Sequence, residues 1–238
     1  LGAACMSAGG YAYARMPRRG AVVGLDALRD VRAWPAAEWA GVSLCFAGVL
    51  LLTVAWMLLG LAVRRRVAGV ADVNRATLLW SLPLLVAPPL FSGDAWSYAA
   101  DGFLTGHGIS PYLSPPAVLH GPIVQAVCLC WRHTLAPYGP VPLLWGGAFS
   151  RLTANPWLLM LAYRLLALVG LALLMYAAPR LARVVGARPA AASWLAVASP
   201  FVLADGIGGA HVDLLIAGLV CTALLLTVTR GWLAGALL

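Results

Sequence analysis

The chain has 238 residues, of which 62% are hydrophobic and only 10% charged. A soluble domain is roughly 45–50% apolar and about 25% charged, so this composition excludes a core shielded from water by polar surface and places the chain in a bilayer. The net charge of +8 comes from 16 basic residues, all arginine, against 8 acids; the arginines sit in gaps between apolar runs, where they read as topology signals and not as a nucleic-acid footprint.

Seven apolar segments follow in chain order: residues 1–13, 39–63, 77–91, 156–178, 191–203, 214–229 and 232–238. A helical crossing needs about 20 residues, so the first and last are partial. The chain opens on Leu1 without an initiator methionine and closes on a short apolar run. The expectation is a piece of a longer membrane protein, truncated at both ends, with no cleavable leader in view. Pro83, Pro88 and Pro89 bend or end the 77–91 run. The fold class is therefore an all-α, polytopic membrane bundle.

Orientation follows the arginines. Residues 64–76 hold Arg64, Arg65, Arg66 and Arg75 against Asp72, residues 179–188 hold Arg180, Arg183 and Arg188 with no acid, and Arg230 ends the 214–229 run. All three gaps fit the cytoplasmic side. Residues 92–155 and 204–213 then fall outside, together with Asp94, Asp101, Asp205 and Asp213. Residues 14–38, rich in arginine, disagree on charge but are placed outside by alternation.

The outer region 92–155 is where chemistry is expected. Residues 95–104 predict a short helix with Asp94 at its start, and Asp94, Tyr98 and Asp101 then share one face. Two carboxylates and a phenol at a membrane surface suit sugar binding and base catalysis. An alternative stands beside this: Asp94 as an N-cap and Asp101-Gly102 as a helix stop. His107 and His120 have no acid or cysteine at ligand spacing, so no metal site is expected. Cys128 and Cys130 match no metal or redox motif. Trp131, Tyr138 and Trp145 fit an interfacial aromatic belt, and Arg132 and Arg151 stand at headgroup level. Arg164 lies inside the 156–178 run, where a charge is costly and either serves function or snorkels. His211 and Asp213 open the 214–229 helix; the Gly206–Gly209 approach lets a backbone or a sugar come close. Residues 211 and 213 share a site only if the chain is unwound around 212.

Several stretches carry a family resemblance. Ala87-Pro88-Pro89-Leu90-Phe91-Ser92-Gly93-Asp94-Ala95-Trp96-Ser97-Tyr98-Ala99-Ala100-Asp101-Gly102, then Gly108-Ile109-Ser110-Pro111-Tyr112, Pro137-Tyr138-Gly139-Pro140 and Gly208-Gly209-Ala210-His211-Val212-Asp213 together resemble the actinobacterial α-1,6-mannopyranosyltransferases of lipomannan backbone synthesis. Two departures are Val212, where the family usually has Asn, and Trp96, where it often has Tyr. The resemblance implies a multi-span fold of the glycosyltransferase C superfamily, about twice this length. It further implies a polyprenyl-phosphate mannose donor, a mannan lipoglycan acceptor, no cofactor, and an outer-face base that lands on Asp94. Tyr98, Asp101, Tyr112, Tyr138, Arg164, His211 and Asp213 are counted as substrate-binding candidates. A β-linked donor giving an α product requires inversion in one displacement, with a carboxylate taking the acceptor proton. A transporter or lipid flippase is the alternative, but transporters place ionisable groups near the midplane, whereas here they gather at the outer edge.

Overall fold

The computed structural model describes residues 1–17, 22 and 25–231. Within them the structure is all helix and turn. Helices α1 (Gly2–Tyr13), α2 (Asp26–Ala33), α3 (Ala37–Arg64) and α4 (Val70–Leu85) come first. Then come α5 (Asp94–Gly106), a 3₁₀ turn at Pro116–Val118, α6 (Pro122–Ala126), α7 (Leu129–Arg132) and α8 (Pro140–Ser150). The chain ends with α9 (Pro156–Val184), α10 (Pro189–Ala196), a π-helical segment (Val202–Gly208) and α11 (Asp213–Arg230). The expected partial segment 232–238 lies outside the described residues.

Three of these helices, α3, α9 and α11, are long and apolar enough to cross a membrane. Only 17% of the most apolar window of α3 is buried, against 56% for α9. So α9 is the central mast and α3 faces lipid. Small residues let backbones touch, as membrane helices without a hydrophobic drive require. A methyl added to Gly9 of α1 would lie 2.5 Å from the Gly41 carbonyl of α3, and one on Gly218 of α11 the same distance from Gly170 of α9.

Two segments differ from the sequence expectation. The 77–91 run begins earlier, at Val70, because the Asp72 carboxylate accepts from the Gly69 amide at 2.9 Å and caps the helix. The 191–203 run is not one helix: α10 stops at Ala196. Pro200 disfavours helical geometry at Ser199, and the chain resumes as the wider π-helix.

The two ends of the bundle separate charge. At one end, α3 and α10 are locked by Trp56 and Trp194, stacked at 4.5 Å, each indole N–H donating to the other's backbone carbonyl at 3.0 and 2.8 Å. Arg188 donates to the Val63 carbonyl there, so the two arginine-bearing gaps adjoin. At the other end, the Trp96 indole donates to Arg15 O, and Arg32 donates to the carbonyls of Tyr11 and Ala14. Residues 14–17 and α2 therefore sit at the end that carries α5. Of the chain's acids, Asp72 alone lies at the arginine end.

Depth can be read from α9. Counting back about 20 residues from Arg183, one hydrocarbon thickness of about 30 Å, reaches Tyr163. The first two turns of α9 project beyond that level, among α5 and α8.

Candidate functional site

Site assembly starts at the turn before α5. Phe91 is held at φ 63°, a left-handed conformation that costs a non-glycine residue roughly 1–2 kcal/mol. The Asp94 amide donates to Ser92 Oγ at 3.1 Å, and Gly93 occupies the N-cap. Asp94 is thus the first helical residue, and its half-buried carboxylate caps nothing and has no hydrogen bond or ion pair among the described residues. An acid in the first turn is favoured by the helix dipole, which keeps it ionised without tying it down. Small residues then sink the helix: Ala95, Ala99, Ala100 and Gly102 are all buried.

One turn on, Tyr98 is buried with its hydroxyl 3.3 Å from His211 Nδ1. Its ring lies edge-on to Tyr138 at 4.8 Å and tilted against Tyr163 at 5.5 Å. Burial first, then the Tyr138 hydroxyl, then the charges of Asp94 and Asp213 push the Tyr98 phenol above its ordinary range. It is a hydrogen-bond donor at any working pH. With Tyr98 donating to Nδ1, the His211 Nε2–H points at Asp205, whose Oδ1 stands 3.6 Å away. Asp213 Oδ2 is 3.7 Å from Nδ1. Asp205, His211 and Asp213 thus form one polar cluster against Tyr98.

The backbone makes that cluster possible. The π-helical segment ends at Gly208 and α11 starts only at Asp213, so residues 209–212 are unwound, as joint action of His211 and Asp213 required. Ala210 is left-handed at φ 57°. Gly209 has no room for a side chain, since a Cβ would sit 2.6 Å from the His211 ring. Both non-glycine strains near this end, Phe91 and Ala210, adjoin the candidate residues. Strain of this kind gathers where structure serves function. Asp205 was not among the sequence candidates; its signal was the glycine run that follows it.

Asp101 is 3% exposed, and burial pushes its carboxyl up to about 7. Asp101 Oδ1 and Ser97 Oγ are buried without partners and face a small hollow walled by Trp131, Pro137 and Tyr138. Tyr112 stands further off. Its hydroxyl donates to the Tyr138 carbonyl at 2.7 Å, so it holds the Tyr138 loop against Tyr98. Arg132 and Arg151 brace their own loops through Val127 O and Gly106 O.

Arg164 requires a correction. The expectation was a substrate contact, but the side chain is 1% exposed. Its guanidinium donates to four backbone carbonyls: Leu85 and Ala87 at 2.8 Å, Gly208 at 3.0 Å and Ile207 at 3.1 Å. These carbonyls lie at the C-terminal ends of α4 and of the π-helix, each end carrying a partial negative charge. The buried cation needs no acid because two helix ends serve as its counter-charge. Arg164 ties the strand leading to Asp94 to the segment leading to His211.

Two clefts open onto this constellation. Asp205, His211 and Asp213 rim one of about 340 Å³, whose walls are Leu174, Ala196, Phe201 and other apolar groups. A second, of about 190 Å³, lies between Ser92–Gly93 and the Tyr13–Arg15 corner. Arg15 was passed over in the sequence because nothing in residues 14–38 placed it beside α5. Cys128 also lines it and is disulfide-bonded to Cys130. The spacing gave no sign of that bond; the extended Cys128 before α7 turns the two sulfurs together. Among the described residues no three His, Cys, Asp or Glu side chains converge as a metal site would need; His107 instead stacks on Phe103 at 4.0 Å.

All of residues 1–238 match the family model for the α-(1→6)-mannopyranosyltransferase N-terminal domain. The chain belongs to this family. It is 35% identical over 221 residues to α-(1→6)-mannopyranosyltransferase A of Corynebacterium glutamicum, covering 89% of this chain and 45% of that protein. It is 37% identical over 204 residues to the Mycobacterium tuberculosis protein of the same name, covering 84% and 38%. The chain therefore spans less than half the length of these relatives. No solved structure matches it. Within the family frame, the two departures noted above are both interior: Trp96 is 1% exposed and Val212 3%. They bear on packing behind the site, since neither side chain reaches the clefts.

Proposed function

We propose that this chain carries the base and the donor-binding half of a membrane α-(1→6)-mannosyltransferase. The donor is polyprenyl-phosphate mannose and the acceptor a growing mannan lipoglycan. The observation that carries the reading is the placement of an untethered Asp94 carboxylate beside Tyr98, at the membrane boundary, next to a cleft with a polar mouth and apolar walls. A lipid-linked sugar has that same division: a polar head at headgroup level and a chain in the hydrocarbon. In this scheme Asp94 takes the proton of the acceptor hydroxyl as its oxygen attacks the anomeric carbon from the face opposite the phosphate. The bond to the phosphate oxygen breaks in the same step, inverting the centre and releasing polyprenyl phosphate. That leaving group gains charge and needs donors more than an acid. Tyr98 and His211 supply hydrogen bonds on one side of Asp94, and Arg15 supplies the nearest cation lining the other hollow. Asp205 and Asp213 orient His211. The active face is the non-cytoplasmic one, opposite the arginine-rich end; the Cys128–Cys130 disulfide fits an oxidising compartment.

Full-length protein in proteoliposomes, offered polyprenyl-phosphate mannose or a nucleotide sugar with a short mannan acceptor, tests this reading. Transfer from the lipid-linked donor alone is expected. Transfer from the nucleotide sugar, or donor translocation without transfer, would overturn it in favour of a cytoplasmic enzyme or a flippase.

A further inference from the structure

At the end of the bundle opposite the candidate site, the last turns of α9 and α11 part to leave a cleft of about 450 Å³. It is lined by three arginines, Arg180, Arg183 and Arg230, with Tyr176, Leu225 and Thr229 among its walls. No acid stands there. All 8 acids of the chain lie in described residues. The one at this end, Asp72, is engaged on α4 with Gly69 and Arg75. Arg180 is fixed in place: its guanidinium lies 3.8 Å over the Tyr176 ring and donates to the Tyr176 carbonyl at 2.7 Å. Arg183 and Arg230 have no hydrogen-bond or ion-pair partner among the described residues.

Topology and helix dipoles explain why arginines stand at these two C-termini. They do not explain why three of them converge from two helices on one concavity. We infer that this cleft binds the phosphate of an anionic phospholipid, with the guanidinium groups as its ligands and the acyl chains along the lipid-facing side of α11. Three features point to a lipid as the source. The cleft lies at headgroup depth, about one hydrocarbon thickness below Tyr163. Its walls beneath the arginines are apolar, through Val184, Leu225 and Leu226. The adjoining face of α11 exposes Val220, Leu224 and Val228 at helical spacing. Arginine suits the role because its planar fork matches phosphate oxygens pairwise. Basic pockets between membrane helices at this level take anionic headgroups. The inference is independent of the reaction at the other end.

The test uses the full-length protein reconstituted in phosphatidylcholine vesicles with a minority of phosphatidylglycerol, released into detergent and weighed by native mass spectrometry. Wild type is expected to retain phosphatidylglycerol in preference to phosphatidylcholine. The Arg183→Gln/Arg230→Gln double variant is expected to retain it about 30-fold less, which corresponds to losing ~1 kcal/mol for each arginine. The Arg183→Lys/Arg230→Lys variant, which keeps the charge, is expected to recover a large part. Arg65→Gln/Arg66→Gln, at the same end but outside the cleft, is expected to behave as wild type. Equal retention in wild type and the Gln variant overturns the site. Equal loss in the Arg65/Arg66 control shows general surface charge and also overturns it. Binding of inorganic phosphate alone, without lipid retention, overturns the lipid assignment.

Discussion

Replacing Arg164 by Met should loosen the candidate site without touching any group proposed to meet substrate. The guanidinium makes four donations to buried carbonyls. Hydrogen bonds to a charged group contribute about 1.5–3 kcal/mol each, which would sum to at least ~6 kcal/mol. Against that stands the cost of burying the cation, several kcal/mol, which the variant no longer bears. The expected net loss is about 3 kcal/mol, a large part of a stability of ~5–15 kcal/mol, yet compatible with a folded protein. Arg164→Lys has three donors on one point charge and cannot span carbonyls on both segments equally, so it should fall between wild type and Met. Hydrogen exchange of the full-length protein in detergent reads the effect directly. Faster exchange is expected around Leu90, whose amide donates to Gly208 O across the same junction at 3.1 Å, and in residues 209–215. Activity should fall with little change in donor KM. A Met variant with wild-type exchange and stability but lost donor binding would refute the clamp and return Arg164 to the substrate.

Asp94→Asn should leave thermal stability unchanged, because the carboxylate caps nothing, while turnover falls about 10²–10⁴-fold, the usual range for general-base assistance; near-normal turnover would move the base to Asp213 or beyond this chain. For Asp101 the sign runs as follows: burial raises its folded pKa to about 7, so the folded state holds a proton the unfolded state has lost. Stability contributed by the protonated form is therefore lost as pH rises from about 4 to 7, and Asp101→Asn should gain on wild type by pH 8 but not at pH 4; a wild type that gains with rising pH would reveal a cation partner. Gly146→Ala on α8 should cost about 1–3 kcal/mol by overpacking, since the new methyl would run into the Tyr163 hydroxyl and lie 2.9 Å from the Gly102 Cα; unchanged unfolding would show that α5 and α8 can part freely.

The spans and the start of α5 were legible because apolar length and a breaker such as Ser92-Gly93 are local signals. So was the unwinding at 209–212, written in glycines. The role of Arg164 was not, because its partners are backbone carbonyls, and any sequence supplies those. Arg15 and Asp205 were missed for a related reason: each gains its place from a segment far away in the chain. The break after Ala196 was readable in Ser199-Pro200, and the apolar composition of residues 191–203 hid it.

The π-helix at Val202–Gly208 has a consequence for how this segment can change over evolutionary time. A π turn holds more residues than an α turn and arises when one residue is added to a regular helix. Deleting one residue from 202–208 would leave an acceptable α-helix, so the fold would accept the loss. Each residue of α-helix turns the chain by about 100°, however, and everything after the deletion would swing by that amount. His211 would leave Tyr98, and Gly208 would leave the Arg164 guanidinium. This glycine-rich stretch, which looks like the sort of connection that drifts freely in length, is instead counted to the residue.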